Sequence, residues 1–147
     1  MACDLALIVN KQIGKWLDDT QQSLEDIISW IHQITTQTVE ESRIKNARCE
    51  ICISKEDPRD LELHHPGHER YNFRTITVCK KCHQYLTTLQ MKNEALLNGK
   101  TTECAKTALF LMGLQEILVL KADKTGNSNY KTLAMLYPTI IREHLKK

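Results

Sequence analysis

The chain is poor in aromatic residues, which make up 5% of its 147 positions, and it carries a formal net charge of only +2. The 41% of residues that are hydrophobic must therefore form a mostly aliphatic core. So small a net charge does not by itself indicate a polyanionic partner, and a nucleic-acid function has to be argued from local charge and a defined site. The length suits about one domain, or a small module with helical extensions.

Long hydrophobic runs are also absent. No stretch reaches the roughly 18 consecutive apolar residues that span a bilayer, and the most apolar segment, Ala105 to Leu120, is interrupted by charged and polar residues. The first residues include an acid, Asp4, and no basic region, unlike a signal peptide. These absences predict a cytoplasmic protein with no membrane partner, in which closely paired cysteines bind metal more often than they form disulfides.

The N-terminal region, residues 1–45, has a helical pattern. Apolar residues recur at spacings of three and four from Leu24 to Ile34, which predicts an amphipathic helix. Ser23, followed three residues later by Asp26, resembles a helix start. We therefore predict that Thr20 to Ser23 divides a short first helix from a longer second one.

The C-terminal region, residues 91–147, is also predicted to be helical. A helix is expected from Thr102 to about Lys121, then a polar loop from Asp123 to Asn129, then a final helix that breaks near Pro138. We interpret the apolar stripes of both flanking regions as core that covers the small central unit. Any stripe that remains exposed is expected to pair two chains in a homodimer.

The middle region, residues 46–90, has a different composition. It contains four of the six cysteines and four of the six histidines. Its apolar runs are short and alternate as strands do, at Leu61 and Leu63 and again at Ile76 and Val78, and a helical pattern follows Cys82. The predicted fold class is therefore mainly α, with a small metal-organised ββα unit in the middle.

Two CxxC pairs, 26 residues apart, provide the metal ligands of this unit: Cys49, Cys52, Cys79 and Cys82. A two-residue spacer lets both thiolates of a pair reach one ion, and two pairs complete the closed tetrahedral shell of a structural zinc. The alternative, four free core cysteines, must explain why all four lie in the least hydrophobic third of the chain. Cys3 and Cys104 lie outside the pattern and are interpreted as small hydrophobic residues.

Histidines form a second cluster between and beside the cysteine pairs. His64 and His65 end a predicted strand, so their side chains point to opposite faces, and one can bind a metal while the other faces a substrate. His83 begins the following helix and can reach back to the same metal. Such a set suits phosphodiester cleavage, in which a divalent cation neutralises the phosphate and a neutral imidazole accepts a proton from water. His68 follows Pro66 and Gly67 and is expected in an exposed turn.

The motifs CEIC, LELHH and VCKKCH, in this order, resemble the HNH endonuclease family over about Arg48 to Leu89. The resemblance implies a ββα-metal fold with a four-cysteine zinc site, and DNA as the usual substrate. It also implies that His64 and His83 hold a catalytic Mg²⁺, Mn²⁺ or other divalent ion, and that His65 is the general base.

The chain departs from the family pattern at two positions. Arg74 stands where the family places its asparagine, nine residues before the last histidine, and Asn72 lies two residues away, so Arg74 or Asn72 is expected to position the phosphate. Thr87 stands where some members have a further histidine ligand. The alternative is that His64, His65 and His83 only form hydrogen bonds inside a domain that keeps the zinc-bound shape.

Local charge around this unit is positive. Between Arg43 and Tyr85 the chain has nine Lys or Arg against six acids. The predicted phosphate contacts are Arg70, Arg74, Lys80 and Lys81. Tyr71 and Phe73 alternate with arginines and can stack on bases. The alternative is a solvated surface with two buried aromatic rings.

The sequence thus favours a divalent-metal-dependent endonuclease that hydrolyses DNA. Its rival is a catalytically inactive zinc-binding module on the same fold, which binds DNA, RNA or a protein.

Overall fold

The fold is that of a computed structural model, which describes residues 5–36, 48–53, 60–72 and 74–147. These residues form the helices and strands α1 (Leu5–Thr36), β1 (Leu61–His64), β2 (Ile76–Cys79), α2 (Lys80–Leu96), α3 (Glu103–Thr125), α4 (Ser128–Ala134) and α5 (Tyr137–Leu145). The prediction of a mainly helical protein with two short strands in its middle is confirmed. Across the described ranges, no helix is both long enough and apolar enough to cross a membrane.

The two strands form an antiparallel pair that leads directly into α2. Leu61 pairs with Cys79 and His64 pairs with Ile76. Cys79 is both the last residue of β2 and the residue that precedes α2, so no linker separates strand from helix. Buried apolar residues occur on both faces of this pair: Ile76 and Val78 lie on one face, and Leu61 lies on the other with Cys79.

One core joins the central unit to both helical flanks. Its buried members include Ile34 of α1, Ile51 of the first cysteine turn, Leu86 of α2 and Ile117 of α3. The strands and the cysteine turns alone offer too few apolar residues for a stable core, so packing against α3 supplies the missing apolar area. The central unit and the flanking helices are therefore parts of one packed structure.

The boundary between α3 and α4 differs from the prediction. The hydroxyl of Thr102 accepts a hydrogen bond from the Ala105 N–H at 3.1 Å and so caps the start of α3. At the other end Gly126, with a φ of 71°, ends the helix in the left-handed conformation that glycine adopts at low cost. The side chain of Asn127 then caps α4.

The loop predicted over Asp123 to Asn129 is therefore much shorter, because α3 continues through Thr125. The break predicted near Pro138 is confirmed, since α5 starts at Tyr137.

The division predicted at Thr20 to Ser23 is wrong, because α1 is continuous from Leu5 to Thr36. Side-chain amides bridge the expected break: Gln21 donates to Glu25 and Gln22 donates to Asp26, each at 3.0 Å and one turn further along. Such pairs, four residues apart, stabilise a helix.

The loop that follows β1 is fixed between α2 and α3. The side-chain amide of Gln90 donates to the carbonyl oxygens of His65 at 2.6 Å and Pro66 at 3.2 Å. On the other side, Gly113 of α3 lies against the Pro66 backbone, so closely that a Cβ there would be 2.1 Å from the Pro66 carbonyl oxygen. This close approach sets the position of the chain immediately after His64 and His65.

We expect Gly113→Ala to lower the free energy of unfolding by about 1–3 kcal/mol, because backbone atoms must move to accommodate the added methyl group. Gly14→Ala is the matched control within a helix, since no atom lies within 4 Å of its added Cβ. The control should instead raise the free energy of unfolding by up to about 1 kcal/mol. Urea unfolding of both variants measures the difference, and equal stability would contradict the close packing.

Candidate functional site

The four predicted cysteines come together. The sulfur atoms of Cys49, Cys52, Cys79 and Cys82 all lie within 4.8 Å of one another. The Cys52 and Cys79 Sγ atoms are 3.8 Å apart, which is far beyond a disulfide bond of about 2.05 Å. This separation equals the sulfur-to-sulfur distance of about 3.8 Å in a tetrahedron of four sulfurs that each lie about 2.3 Å from a zinc ion. This cluster could hold a metal ion such as zinc.

The two CxxC pairs are positioned by different local structures. Cys49 and Cys52 lie in a turn, in which the Cys52 N–H donates to the Cys49 Sγ at 3.5 Å and the Ile53 N–H donates to the Cys49 carbonyl at 3.0 Å. Cys79 ends β2, and Cys82 lies in the first turn of α2. The second pair thus uses a strand-to-helix junction rather than a separate turn.

The electrostatics of the cluster favour a bound cation. Burial raises the pKa of the Cys49 thiol, and burial together with the neighbouring thiols raises the pKa of Cys82. These two shifts disfavour the thiolate forms of Cys49 and Cys82 without a cation, since buried anionic sulfurs at this spacing would repel each other. A divalent ion removes that repulsion and binds the thiolate forms, so metal binding and folding are expected to be coupled.

Glu50 connects the first cysteine turn to three other elements, a role that the sequence analysis did not identify. Its carboxylate accepts hydrogen bonds from the Trp30 Nε1–H at 3.2 Å and from the Thr77 N–H at 2.5 Å. Its carbonyl oxygen accepts one from the Lys121 Nζ at 2.5 Å, and that ammonium group lies 3.8 Å from the centre of the Trp30 ring. Burial lowers the pKa of Lys121, while the charges of Glu50 and Cys49 raise it. The turn is thereby held to α1, β2 and α3.

His64 and His83 are brought together as predicted, next to the cysteine cluster. His64, the last residue of β1, is only 2% exposed, and its ring lies edge-on to that of His83 with centroids 5.4 Å apart. Burial, with smaller contributions from His83 and His65, lowers the pKa of His64 to about 3. Its imidazole is therefore neutral at neutral pH, which is the form that binds a metal.

Glu62 is the third member of this group, and it was missed in the sequence. Its carboxylate contacts Nδ1 of His83. Glu62 and His64 are two residues apart on β1 and so face the same side, which is the signal that could have identified it. A carboxylate at Nδ1 holds the proton there and leaves Nε2 of His83 able to bind a metal.

His65 follows the strand and is half-buried. Burial lowers its pKa, nearby Glu69 raises it, and His68 and His83 lower it. The neutral form of an imidazole is the one that accepts a proton. His68 lies apart from this group: its Nε2 is 3.6 Å from the Glu94 carboxylate on α2, and its ring packs against Tyr71.

Asn72 and Arg74 lie together in the loop before β2. The Asn72 Oδ1 accepts a hydrogen bond from the Arg74 N–H at 2.8 Å, and the Asn72 N–H donates to the His68 carbonyl at 3.0 Å. The Asn72 side-chain oxygen therefore braces the loop, and its amide nitrogen is the group that remains to contact a phosphate. Phe73 and Cys3 lie outside the described residues.

The predicted phosphate contacts have different neighbours. Arg70 is exposed beside the Tyr71 ring, with 5.9 Å between its guanidinium carbon and the ring centre. Lys80 is 3.5 Å from the Asp60 carboxylate. Lys81 instead lines a cavity of about 360 Å³ between α2 and α3. Lys80 and Lys81 thus lie at the start of α2, whereas Arg70 lies near its other end, since Tyr71 packs against the buried cluster that includes Leu97.

We expect Cys82→Ser to reduce bound zinc and to lower the thermal midpoint, because one of the four sulfur ligands is lost. Cys104→Ser is the matched control, since Cys104 is a half-buried cysteine outside the cluster. It should retain zinc in full. Elemental analysis and circular dichroism of both variants test this, as does chelator treatment of the parent. A parent that is folded and metal-free would contradict the assignment.

The chain was compared with protein-family models, with curated proteins and with solved structures. None of the three comparisons found a match.

Proposed function

We propose that this protein is a divalent-metal-dependent endonuclease of HNH-like type that hydrolyses DNA phosphodiesters. The observation that carries the proposal is the pairing of neutral His64 with His83, whose Nδ1 contacts Glu62. Two neighbouring imidazoles, one at a strand end and one at a helix start directly after Cys82, fit the site that the sequence motifs imply.

His64 and His83 would hold the divalent ion. Both imidazoles are suited to it: His64 is kept neutral by burial, and Glu62 keeps the proton of His83 on Nδ1. The bound ion would supply charge neutralisation at the scissile phosphate. Nitrogen ligands favour Mn²⁺ or a later divalent ion over Mg²⁺, which prefers oxygen.

His65 is proposed as the general base. It is adjacent in sequence to a metal ligand, and its lowered pKa keeps it able to accept a proton from the attacking water. The hydrogen bond from Gln90 to its carbonyl oxygen limits movement of the backbone at this position. Arg74 or the amide nitrogen of Asn72 is proposed to position the phosphate, with Arg70, Lys80 and Lys81 contacting the DNA backbone.

Supercoiled plasmid nicking tests the catalytic assignment. With Mn²⁺ or Mg²⁺ the parent protein should nick the plasmid, and His65→Ala should reduce the rate at least about 100-fold while zinc content and helicity stay the same. His32→Ala is the control, because His32 is an exposed histidine on α1. Its rate should equal that of the parent.

The plasmid experiment can instead indicate the alternative function, a catalytically inactive binding module. One observation favours it: His64 is almost fully buried, and His83 already has a partner in Glu62. If neither parent nor His65→Ala nicks the plasmid, but both bind DNA with an affinity that falls steeply with salt, the histidines are structural and the module binds without catalysis.

The Glu62 contact gives a separate prediction. Glu62→Ala should raise the Mn²⁺ concentration needed for half-maximal nicking by about 10–100-fold, because His83 loses the partner that fixes its tautomer and orientation. Glu94→Ala is the matched control, since it removes the carboxylate from the other described histidine–carboxylate pair, with His68. Equal metal dependence in both variants would show that Glu62 does not support a metal ligand.

A further inference from the structure

The N-terminal half of α1 exposes large hydrophobic side chains. Val9, Ile13, Trp16 and Leu17 are 48%, 49%, 64% and 53% exposed. Single exposed apolar residues are ordinary on a protein surface, but a contiguous patch on one helix indicates an interaction site. The patch has no charged residue among these four positions.

These residues continue a stripe that is already buried further along the same helix. At 100° per residue, Val9, Ile13 and Trp16 fall on the face that carries Ile27 and Ile34, which are 1% and 2% exposed. The buried end packs against helices, since Ile27 shares a cluster with Leu118 and Ala134. Thr20 and Ser23 lie between the two parts on this face, so the stripe leads from an established helix interface, across two polar residues, to the exposed patch.

Positive and negative residues occupy different segments of α1. Residues 5–15 contain two cations, Lys11 and Lys15, and no acid, whereas residues 16–26 contain the acids Asp18, Asp19, Glu25 and Asp26 and no cation. Two such helices attract each other when antiparallel, because each positive segment then lies along a negative one. A parallel pair would place like charges together.

We propose that two copies of this chain pair through the N-terminal halves of α1, antiparallel and about a two-fold axis. In this arrangement apolar residues of one copy face those of the other and the charges are complementary, as a two-fold interface requires. The packed body lies at the C-terminal end of α1, so the antiparallel arrangement also keeps the two bodies at opposite ends. An anionic membrane is a poorer partner, because four acids and only two cations flank the stripe between residues 5 and 26.

Sedimentation equilibrium of the full, zinc-loaded chain tests the proposal. The parent should have twice the 17.0 kDa mass of one chain. Ile13→Glu should raise the dimer dissociation constant by about a hundredfold, because the lost apolar contact occurs twice and each is worth at least about tenfold. Ile8→Gln is the control, because it adds no charge to the positive segment: Ile8 is 44% exposed on the same helix but lies about 100° away from Val9 around its axis, so dimerisation should be unchanged.

A second experiment tests whether the two α1 helices pair in the antiparallel direction. Lys11→Glu combined with Lys15→Glu should raise the dissociation constant by about tenfold at low salt and by less at high salt, because antiparallel attraction becomes repulsion.

A parent that is monomeric at all concentrations overturns the proposal. So does association that Ile13→Glu leaves unchanged, or a monomer that sediments with anionic phosphatidylserine vesicles. A dimer insensitive to the lysine substitutions overturns the antiparallel arrangement.

Discussion

The close approach of the four cysteine sulfur atoms is the constraint on which the rest of the structure depends. It joins a turn, the end of a strand and the first turn of a helix, segments that also contribute to one buried core. Cys79 and Cys82 fix the junction between β2 and α2, and His83 follows Cys82 directly. The position of His83 against β1 is thus a consequence of the cysteine geometry, and the histidine pair depends on the same constraint.

Glu50 extends this constraint to the helical flanks. A carboxylate with two N–H donors and a neighbouring ammonium group is well satisfied, but removing any one partner would leave a charge in a poorly solvated place. The contact therefore makes docking of α1 and α3 depend on the conformation of the cysteine turn. It also explains why a lysine, Lys121, occurs on the buried face of α3, where it lies over the Trp30 ring.

The sequence predicted those features that local chemistry determines. The four-cysteine cluster, the strands at Leu61 and Ile76 and the buried period of α3 were each predicted from residues close together in the chain, and each is confirmed. The burial of the strands does not alternate as predicted, because β2 is buried on both faces. The division of α1 was wrong because the motif at Ser23 competes with side-chain pairs that only a formed helix brings together. Glu62 and Glu50 were missed because their partners lie 20 or more residues away and become neighbours only through strand register and tertiary packing.

The cysteine cluster and the proposed histidine site differ in the number of coordination positions that each would leave free on a bound ion. Four cysteines complete a tetrahedral shell, so an ion there has no position for water or substrate and its role is structural. His64 and His83 offer two nitrogens, so an ion held by them would keep several positions for water and phosphate oxygens. Burial keeps the His64 imidazole neutral, and the contact of Glu62 with Nδ1 of His83 orients the second ring, with its Nε2 on the side away from the carboxylate. The proposed endonuclease requires both groups: a closed cysteine shell that fixes the fold and, beside it, two imidazoles whose bound ion would keep positions for phosphate oxygens.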